Sequence, residues 1–358
     1  MKRWLDRTRE YGLKYLLHWT SRRSAVRSAV SQSSLGVRGR RPPEEPPESM
    51  RVALVQVELS LVDSVDAYVK LMARPLLEAA DGIDLVVYPE DVSTHLLGLL
   101  PGFAEVSEAD SLEQALEQAA GQGVTMDQVF EFIGPTVRRV YRETFSALAR
   151  RTRTHIVAGT AILPQGGRLY NVAHLFGPDG KLLGTQKKLH LIPLERQWGI
   201  EPGEKLEILS TALGKLGMPV CMDATYYEPF RIMEMAGVEV AAVPAANPEE
   251  YNVWKVLRGP WARAQEAGMF VLHACMVGRL AGLHLTGRSA VYAPVEMTPD
   301  GTGVLGQMQG GDQGGLLVCD LDLKALREFR KDNPRPRNVH LYNRYFPRLY
   351  DKLEPSGG

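Results

Sequence analysis

From Arg51 onward, short runs of aliphatic and β-branched residues alternate with longer stretches whose apolar residues recur at helical spacing. The runs include "RVALVQVEL", "DLVVYPE", "HIVAGTAIL" and "VEVAAVPAA", and "TVRRVYRETFSALARR" is one of the helical stretches. In "NVAHLFGPDGKLLGTQKKL" a turn at Asp179 and Gly180 joins two strand-like runs, which indicates an antiparallel hairpin. Crossovers and hairpins together predict a layered α/β fold with mixed sheets rather than a purely doubly wound one.

The beginning of the chain departs from this pattern. Residues 1–41 contain eleven Lys and Arg against two acidic residues, with apolar side chains such as Trp4, Tyr15 and Trp19 between them. This composition is compatible with a helix on an anionic membrane, an organellar transit peptide, a frayed tail, or an arm packed on the fold or on a neighbouring subunit. The Pro- and Glu-rich residues 42–49 predict an extended linker.

These boundaries predict one folded domain over residues 50–331 and a C-terminal tail over 332–358. Residues 104–145 are expected to be a helical insertion that serves as a lid, an assembly element or a packed surface element.

Composition excludes several classes of function. The formal net charge is zero, so no nucleic-acid partner is expected. The three cysteines are widely separated and form no CxxC pattern, which argues against a disulfide framework or a zinc site and favours a reducing cytoplasm. No apolar run approaches the ~18 residues that a membrane span needs, so membrane contact would be peripheral and made through residues 1–41.

Three strand-like runs end in groups that suit a single reaction. "LVVYPE" ends in Glu90, "GTQKKLHL" carries Lys188 and "GMPVC" ends in Cys221. A carboxylate can deprotonate a thiol, and an ammonium with backbone N–H groups can stabilise the oxyanion that forms when a thiolate attacks a carbonyl. Taken singly, each residue also has an ordinary structural use, as a helix cap, a solvated charge or a buried thiol.

The same stretches resemble the motifs of the nitrilase, or carbon-nitrogen hydrolase, superfamily. "VVYPED" resembles the motif of the glutamate base, "KKLHLIPLERQWGIEPGE" the lysine motif, and "GMPVCMDATYYEP" the nucleophile motif. The resemblance implies a four-layer αββα sandwich with mixed sheets and a homo-oligomer. It implies a catalytic set of Glu90, Lys188 and Cys221 with Glu195 as a second glutamate, and it implies no metal and no organic cofactor.

The resemblance also implies a covalent mechanism in which Cys221 forms a thioester while Lys188 and the Met222 backbone N–H hold the oxyanion. "CMD" is similar to the amide- and carbamoyl-cleaving members, whereas "LERQWG" is similar to the nitrilases. We therefore expect a small amide or N-carbamoyl substrate. A small nitrile, amidotransfer or N-acyl transfer, and a non-catalytic scaffold are the alternatives.

The motif after the nucleophile departs from the family pattern, because Thr225 and Tyr227 occupy positions where related amidases commonly have Arg and Pro. This departure leaves the charge preference for the substrate open. The side chains expected around the substrate are those of Tyr88, Met222, Thr225, Tyr226, Tyr227 and Asn247.

Overall fold

A computed structural model describes residues 7–33, 35, 39, 47–79, 81–103, 106 and 108–350. Trp4 and most of the expected linker, residues 42–46, lie outside the described residues. The described strands are β1 (Ser49–Glu58), β2 (Leu85–Val87), β3 (His155–Gln165), β4 (Arg168–Phe176), β5 (Leu182–Lys187), β6 (Ile208–Thr211), β7 (Gly214–Gly217), β8 (Val240–Ala246), β9 (Phe270–Leu280), β10 (Leu283–Leu285), β11 (Ala290–Tyr292), β12 (Val304–Gln307) and β13 (Gly315–Asp322).

The described helices surround these strands. They are α1 (Arg7–Thr20), α2 (Arg23–Gln32), α3 (Val65–Glu78), α4 (Leu112–Ala120), α5 (Met126–Thr152), α6 (Pro193–Gln197), α7 (Tyr227–Met235), α8 (Val253–Val256), α9 (Ala262–Ala267), α10 (Leu323–Asp332) and α11 (Val339–Tyr345). Short 3₁₀ helices lie at Thr94–Leu99, Cys221–Thr225, Val295–Met297 and Phe346–Arg348, and a π-helical turn lies at Leu257–Trp261.

The strands pair in the order β5-β4-β3-β2-β1-β9-β8-β7-β6, with β10 to β13 joined to this path at β9 and β1. The pairs of β1 with β2 and with β9 are parallel, whereas β3 with β4 and β4 with β5 are antiparallel. The hairpin predicted at Asp179 and Gly180 joins β4 to β5. The sheet is therefore mixed.

Alternate residues of β1 pack into two different apolar cores. Ala53 and Val55 belong to a core shared with α2, α3 and α5, whereas Val52 and Leu54 belong to a core shared with β8 and β9. Because successive side chains of a strand point to opposite faces, one half of the sheet must lie between a helical layer and a second layer of strands.

The strand β8 shows the same arrangement from the other side. Its Val240 lies in the core between the strand layers, while Ala241 and Val243 pack with Phe230 of α7 and Ala264 of α9. The layers thus follow the order helix, sheet, sheet, helix. The predicted αββα fold is confirmed.

The helices expected as an insertion at 104–145 extend beyond it. α5 runs from Met126 to Thr152 and packs against β3 and β4, with Val140, Tyr141 and Phe145 fully buried. The second half of the expected insertion is therefore part of the helical layer that covers the sheet.

The N-terminal helices contact this layer as well. Val26 and Val30 of α2 are buried against α3 and α5, and Leu17 of α1 is buried in the same core. Tyr11 and Tyr15 of α1 are 74% and 73% exposed. Within the described ranges, no helix combines the length and apolar character that crossing a membrane requires.

Candidate active site

Glu90 follows the short, fully buried strand β2, and its own side chain is buried. Its Oε1 accepts hydrogen bonds from Lys188 Nζ at 2.7 Å and from Asn171 Nδ2 at 2.8 Å, and its Oε2 accepts one from the backbone N–H of Ala246 at 2.9 Å. A buried carboxylate needs such partners because it has lost the hydration that stabilises its charge.

Lys188 directly follows β5, and its backbone N–H donates to Asn171 O on β4 at 2.9 Å. The buried Nζ lies 2.7 Å from Glu90 Oε1 and 2.7 Å from Glu195 Oε2. One ammonium therefore bridges two carboxylates. The structure places Lys188 at the site, whereas the ammonium of the neighbouring Lys187 lies over the Tyr170 ring, 3.2 Å from its centroid.

Glu195 lies in the first turn of α6, which begins with a proline. Its Oε2 accepts the backbone N–H of Ile192 at 3.0 Å, and its Oε1 accepts Asn171 Nδ2 at 3.1 Å. The bond to Ile192 caps the helix and fixes the carboxylate beside Lys188.

Cys221 begins the 3₁₀ helix that follows β7, and its side chain is partly exposed. Its φ of 44° lies in the left-handed region, which residues other than glycine adopt rarely because it costs conformational energy. The Sγ lies 4.0 Å from Ala246 O, while the N–H of the same Ala246 donates to Glu90. The end of β8 thus connects the thiol with the carboxylate.

Asp223 holds the Cys221 turn against the loop that carries the lysine. The fully buried carboxylate accepts the backbone N–H of Val220 at 2.8 Å and that of His190 at 2.7 Å. His190 Nδ1 also lies 2.9 Å from Asp223 Oδ1. Because the Asp223 carboxylate is hydrogen-bonded to both loops, it fixes the position of Lys188 relative to that of Cys221.

Burial and neighbouring charges together raise the pKa values of Glu90, Lys188 and Cys221. Burial raises the pKa of Glu90; Lys188 lowers it, Glu195 raises it again, and the Cys221 thiol lowers it. Burial alone would lower the pKa of Lys188, but Glu90, Cys221 and Glu195 together hold it well above its usual range. Burial, reinforced by Glu90, raises the pKa of the Cys221 thiol. Lys188 is therefore firmly cationic, and Cys221 is a thiol that needs a base.

The expected substrate contacts divide into two groups. Met222 and Thr225 lie in the Cys221 turn and are partly exposed, and Tyr226 and Tyr227, next in the chain, are 38% and 37% exposed. Asn247 directly follows Ala246 at the end of β8. The first four lie within six positions of Cys221 in the chain, and Asn247 follows the residue whose carbonyl lies 4.0 Å from the Cys221 Sγ.

Tyr88 does not belong to that group. It is fully buried in the core beneath α3 and α5, where its hydroxyl donates to Met72 O and its ring packs edge-on against Phe145. Side chains alternate along a strand, so Tyr88 points to the helical layer. The expectation that it contacts substrate is therefore wrong.

Neither Asn171 nor Asp223 is among the residues that the sequence predicts to act at the site. Asn171 is buried on β4 and donates to both glutamates, Glu90 and Glu195. The available signal was a polar amide within the apolar run "RLYNVAHLF". A buried amide needs hydrogen-bond partners, but the sequence alone does not indicate which residues they are.

Comparison with known proteins agrees with the fold and the motifs. Residues 51–331 match the family model described as carbon-nitrogen hydrolase. The chain belongs to the carbon-nitrogen hydrolase family, within the nitrilase superfamily.

Two curated relatives illustrate the similarity. The chain is 25% identical over 289 residues to a probable hydrolase, YhcX, of Bacillus subtilis, covering 79% of this chain and 52% of that protein. It is 26% identical over 270 residues to omega-amidase NIT2 of Danio rerio, covering 66% of this chain and 92% of that protein. The chain thus spans about half of the bacterial relative and most of the fish enzyme.

Among solved structures, a carbon-nitrogen hydrolase from Helicobacter pylori superimposes with a TM-score of 0.61 at 21% identity, covering 83% of this chain and 98% of that one. An amidase from Nesterenkonia superimposes with a TM-score of 0.58 at 23% identity, covering 85% and 99%. These likenesses show a shared fold.

Proposed function

We propose that this protein hydrolyses a carbon-nitrogen bond in a small amide or N-carbamoyl compound through a thioester on Cys221. The observation that carries the proposal is the buried bridge in which Lys188 Nζ lies 2.7 Å from both Glu90 and Glu195, beside a partly exposed thiol. A nucleophile, a base and a fixed cation in one place are what acyl transfer requires.

In the first half of the proposed reaction, Glu90 takes the proton of the Cys221 thiol as sulfur attacks the amide carbon. The raised pKa of the thiol means that this proton must be removed during attack. The negative charge that develops on the carbonyl oxygen is stabilised by Lys188 and by the backbone N–H of Met222. Glu90 then returns the proton to the leaving nitrogen, so that ammonia or an amine departs and the thioester remains.

In the second half, Glu90 takes a proton from water as the water attacks the thioester carbon. The carbon–sulfur bond breaks, the thiolate recovers the proton, and a carboxylic or carbamic acid leaves. Glu195 and Asn171 hold Lys188 and Glu90 in position through the hydrogen bonds described above. Their role is positioning, which preserves the geometry of the charged groups through both halves.

The proposed substrate class rests on chemistry near the thiol and on the relatives. "CMD" is similar to the amide-cleaving branch, and an omega-amidase and an amidase occur among the similar proteins. The ring of Tyr226 stacks on that of His190 with centroids 4.2 Å apart, so an aromatic wall adjoins the Cys221 turn. Such a wall suits a small polar acyl group that presents a flat face.

The direct test is a panel of small amides, N-carbamoyl amines and nitriles, read by release of ammonia or amine and by intact-protein mass. We expect amide or carbamoyl turnover, with an acyl adduct on the peptide that contains Cys221. Turnover of nitriles alone would contradict the substrate class.

Hydroxylamine in the same assay distinguishes hydrolysis from acyl transfer. Formation of hydroxamate at the expense of acid, at low amine concentration, would favour amidotransfer or N-acyl transfer. A scaffold would give neither product, and iodoacetamide would label Cys221 no faster than the other two thiols.

We further propose that the protein forms a homo-oligomer in the cytoplasm. Ile232 and Met235 of α7 are 53% and 69% exposed and Trp254 of α8 is 74% exposed, and these are side chains that oligomer interfaces commonly cover. The three cysteines are free, which suits a reducing compartment. Light scattering of the protein and of Trp254→Glu tests the assembly, because a monomeric mass for the unmodified protein would contradict it.

A further inference from the structure

A cavity of about 390 Å³ lies between α5 and the start of α2. Four arginines line it, and Glu143 is the carboxylate among its lining residues. Arg23 comes from α2, whereas Arg138, Arg139 and Arg142 come from α5. We call this site the arginine cavity. Its four guanidinium groups and one carboxylate leave an excess of three positive charges in a chain whose overall charge is zero.

The single carboxylate is already shared between two arginines of α2. Arg27 Nε donates to Glu143 Oε1, and Arg23 Nε lies 3.8 Å from Glu143 Oε2. The three arginines of α5 therefore have no carboxylate of their own at this site within the described residues. Their charges are compensated by neutral acceptors or by solvent.

Arg138 and Arg139 are both partly buried and held by neutral oxygens. Arg138 donates to the backbone carbonyl of Pro164, and Arg139 donates through Nε to Ser21 O at 2.9 Å. Burial, and next the charge of Arg23, lower the pKa of Arg139. Neutral oxygens thus fix these guanidinium groups in place but do not compensate their positive charge. Such groups are preorganised to bind an anion.

Arg142 differs because it is exposed and forms no hydrogen bond or ion pair with the part of the chain that the structure describes. Its guanidinium is thus available to a ligand. Phe176 and Leu182 add an apolar wall to the same cavity. A cavity of this volume holds a small molecule rather than a single ion.

The geometry points to a binding site for a phosphate-bearing anion in the arginine cavity. Guanidinium groups bind phosphate oxygens in pairs, and an excess of three charges matches a di- or polyanionic phosphate better than a monocarboxylate. The phosphate comes either from a soluble phosphate ester or from a lipid headgroup. The helix α1 precedes α2, which carries Arg23, and α1 has exposed aromatic side chains of the kind that contact a membrane surface. The lipid headgroup is therefore tested separately.

The test is calorimetric titration of the full chain with pyrophosphate at low and at high salt. We expect saturable binding that weakens with salt, and a melting temperature that rises with pyrophosphate concentration. Arg142→Gln should weaken binding roughly tenfold, and Arg142→Glu more, because a charge-assisted contact is lost or reversed. Arg23→Gln should also weaken pyrophosphate binding, because Arg23 lines the cavity from α2.

Arg150→Gln is the matched control, since Arg150 is an exposed arginine of the same helix that does not line the cavity. It should bind pyrophosphate as tightly as the unmodified chain. Equal weakening by Arg150→Gln and Arg142→Gln, or no binding of pyrophosphate or vesicles by the unmodified chain, would overturn the proposal.

Sedimentation with vesicles of phosphatidylcholine and phosphatidic acid in equal parts distinguishes the two phosphate sources. Vesicle binding that Arg142→Gln abolishes identifies a lipid headgroup. Pyrophosphate binding without vesicle binding identifies a soluble phosphate ester. Amide turnover should be unaffected in either case, so failure here is separable from failure of the proposed hydrolase function.

Discussion

The candidate active site and the arginine cavity both gather charged side chains, and they compensate those charges differently. At the active site, Lys188 lies within hydrogen-bond distance of Glu90 and Glu195, and all three are buried. In the arginine cavity, three arginines of α5 lie beside Glu143, whose carboxylate already pairs with two arginines of α2. In the first cluster every charged group contacts an opposite charge, whereas the second retains an excess of positive charge.

Burial explains the difference. A charge removed from water is tolerated only with a close opposite charge and saturated hydrogen bonds, whereas a partly exposed guanidinium keeps water as a partner. The active site therefore needs internal compensation to fold. The cavity keeps its excess charge because solvent stabilises it, and that excess remains available to an anion. Changes at the first cluster should accordingly affect both folding and chemistry, and changes at the second only binding.

The largest effect is expected from Cys221→Ala. Loss of the nucleophile should lower kcat by roughly 10⁴-fold or more, while the melting temperature changes little because the side chain is small and partly exposed. Steady-state turnover and thermal unfolding measure the two quantities.

Cys275→Ala and Cys319→Ala are the controls. Burial raises the pKa of Cys275 to about 12 and that of Cys319 to about 11. The Cys221 pKa is raised as well, but only Cys221 of the three thiols is influenced by Glu90, the proposed base. Turnover that survives in Cys221→Ala but disappears in Cys275→Ala would contradict the assignment.

Lys188→Met should affect folding as well as rate. Removing the ammonium leaves Glu90 and Glu195 buried beside each other, so we expect a loss of about 3–5 kcal/mol in the free energy of unfolding. The rate should fall by roughly 10³-fold, because the oxyanion loses its cation.

Lys187→Met is the matched control, because that ammonium lies over the Tyr170 ring and not at the site. Chemical denaturation and turnover of both variants give the comparison. Equal losses in the two variants would show that the internal compensation at Lys188 has no special role.

The pH dependence follows from the direction of the Glu90 shift. The carboxylate is the proposed base, and burial raises its pKa above the ordinary value of 4.5. The value of kcat/KM for an uncharged amide should therefore fall about tenfold per pH unit below an apparent pKa that exceeds 4.5.

On the alkaline side, Lys188 should not limit the rate, since its pKa is held well above 10.5. A pH–rate profile measures both limbs. An acid limb at or below the ordinary glutamate value would argue against a buried base.

Asn171→Leu should have an intermediate effect. The variant keeps the volume but removes the donor that joins Glu90 to Glu195, at 2.8 and 3.1 Å. We expect about 1–3 kcal/mol less stability and roughly a tenfold lower kcat/KM. A side chain that only fills space would tolerate leucine, so unchanged rate and unfolding midpoint would contradict a positioning role.

The smallest effect on chemistry is expected in the arginine cavity. Arg142→Gln should leave amide turnover within about twofold, since an exposed side chain away from the strand ends carries little folding energy. Turnover measured with and without pyrophosphate checks this independence. A large change in kcat would show that the two regions are coupled.

Much of the candidate site could be predicted from the sequence. Glu90, Lys188 and Cys221 stand at the ends of apolar runs, and their flanking residues resemble family motifs, so their proximity was predicted and the structure brings them together. Tyr88 shows where such reading fails. It lies two residues before Glu90, a spacing that would put both side chains on one face of a continuous strand. Because β2 ends at Val87, this alternation does not extend to Glu90, and Tyr88 lies with Val86 in the helical core.

The contacts of Asn171 and the lining of the arginine cavity could not be predicted from the sequence for a different reason. Asn171 acts through residues 81 and 24 positions away, and the cavity joins α2 to α5 across a separation of more than a hundred residues, as the Arg27–Glu143 pair at 116 positions shows. A local pattern does not reveal which distant groups will meet, because their contact depends on how the layers stack.

By itself, the sequence determined the alternation of strands and helices, the mixed character of the sheet and the residue types at three strand ends. These are local properties, set by side-chain periodicity, turn residues and motif spacing. The tertiary structure alone decided that Lys188 bridges two glutamates and that Arg138, Arg139 and Arg142 have no carboxylate of their own within the described part of the chain. Lys188 and Glu90 are 98 positions apart, and only folding brings them close enough for burial and Coulomb attraction to set their charge states.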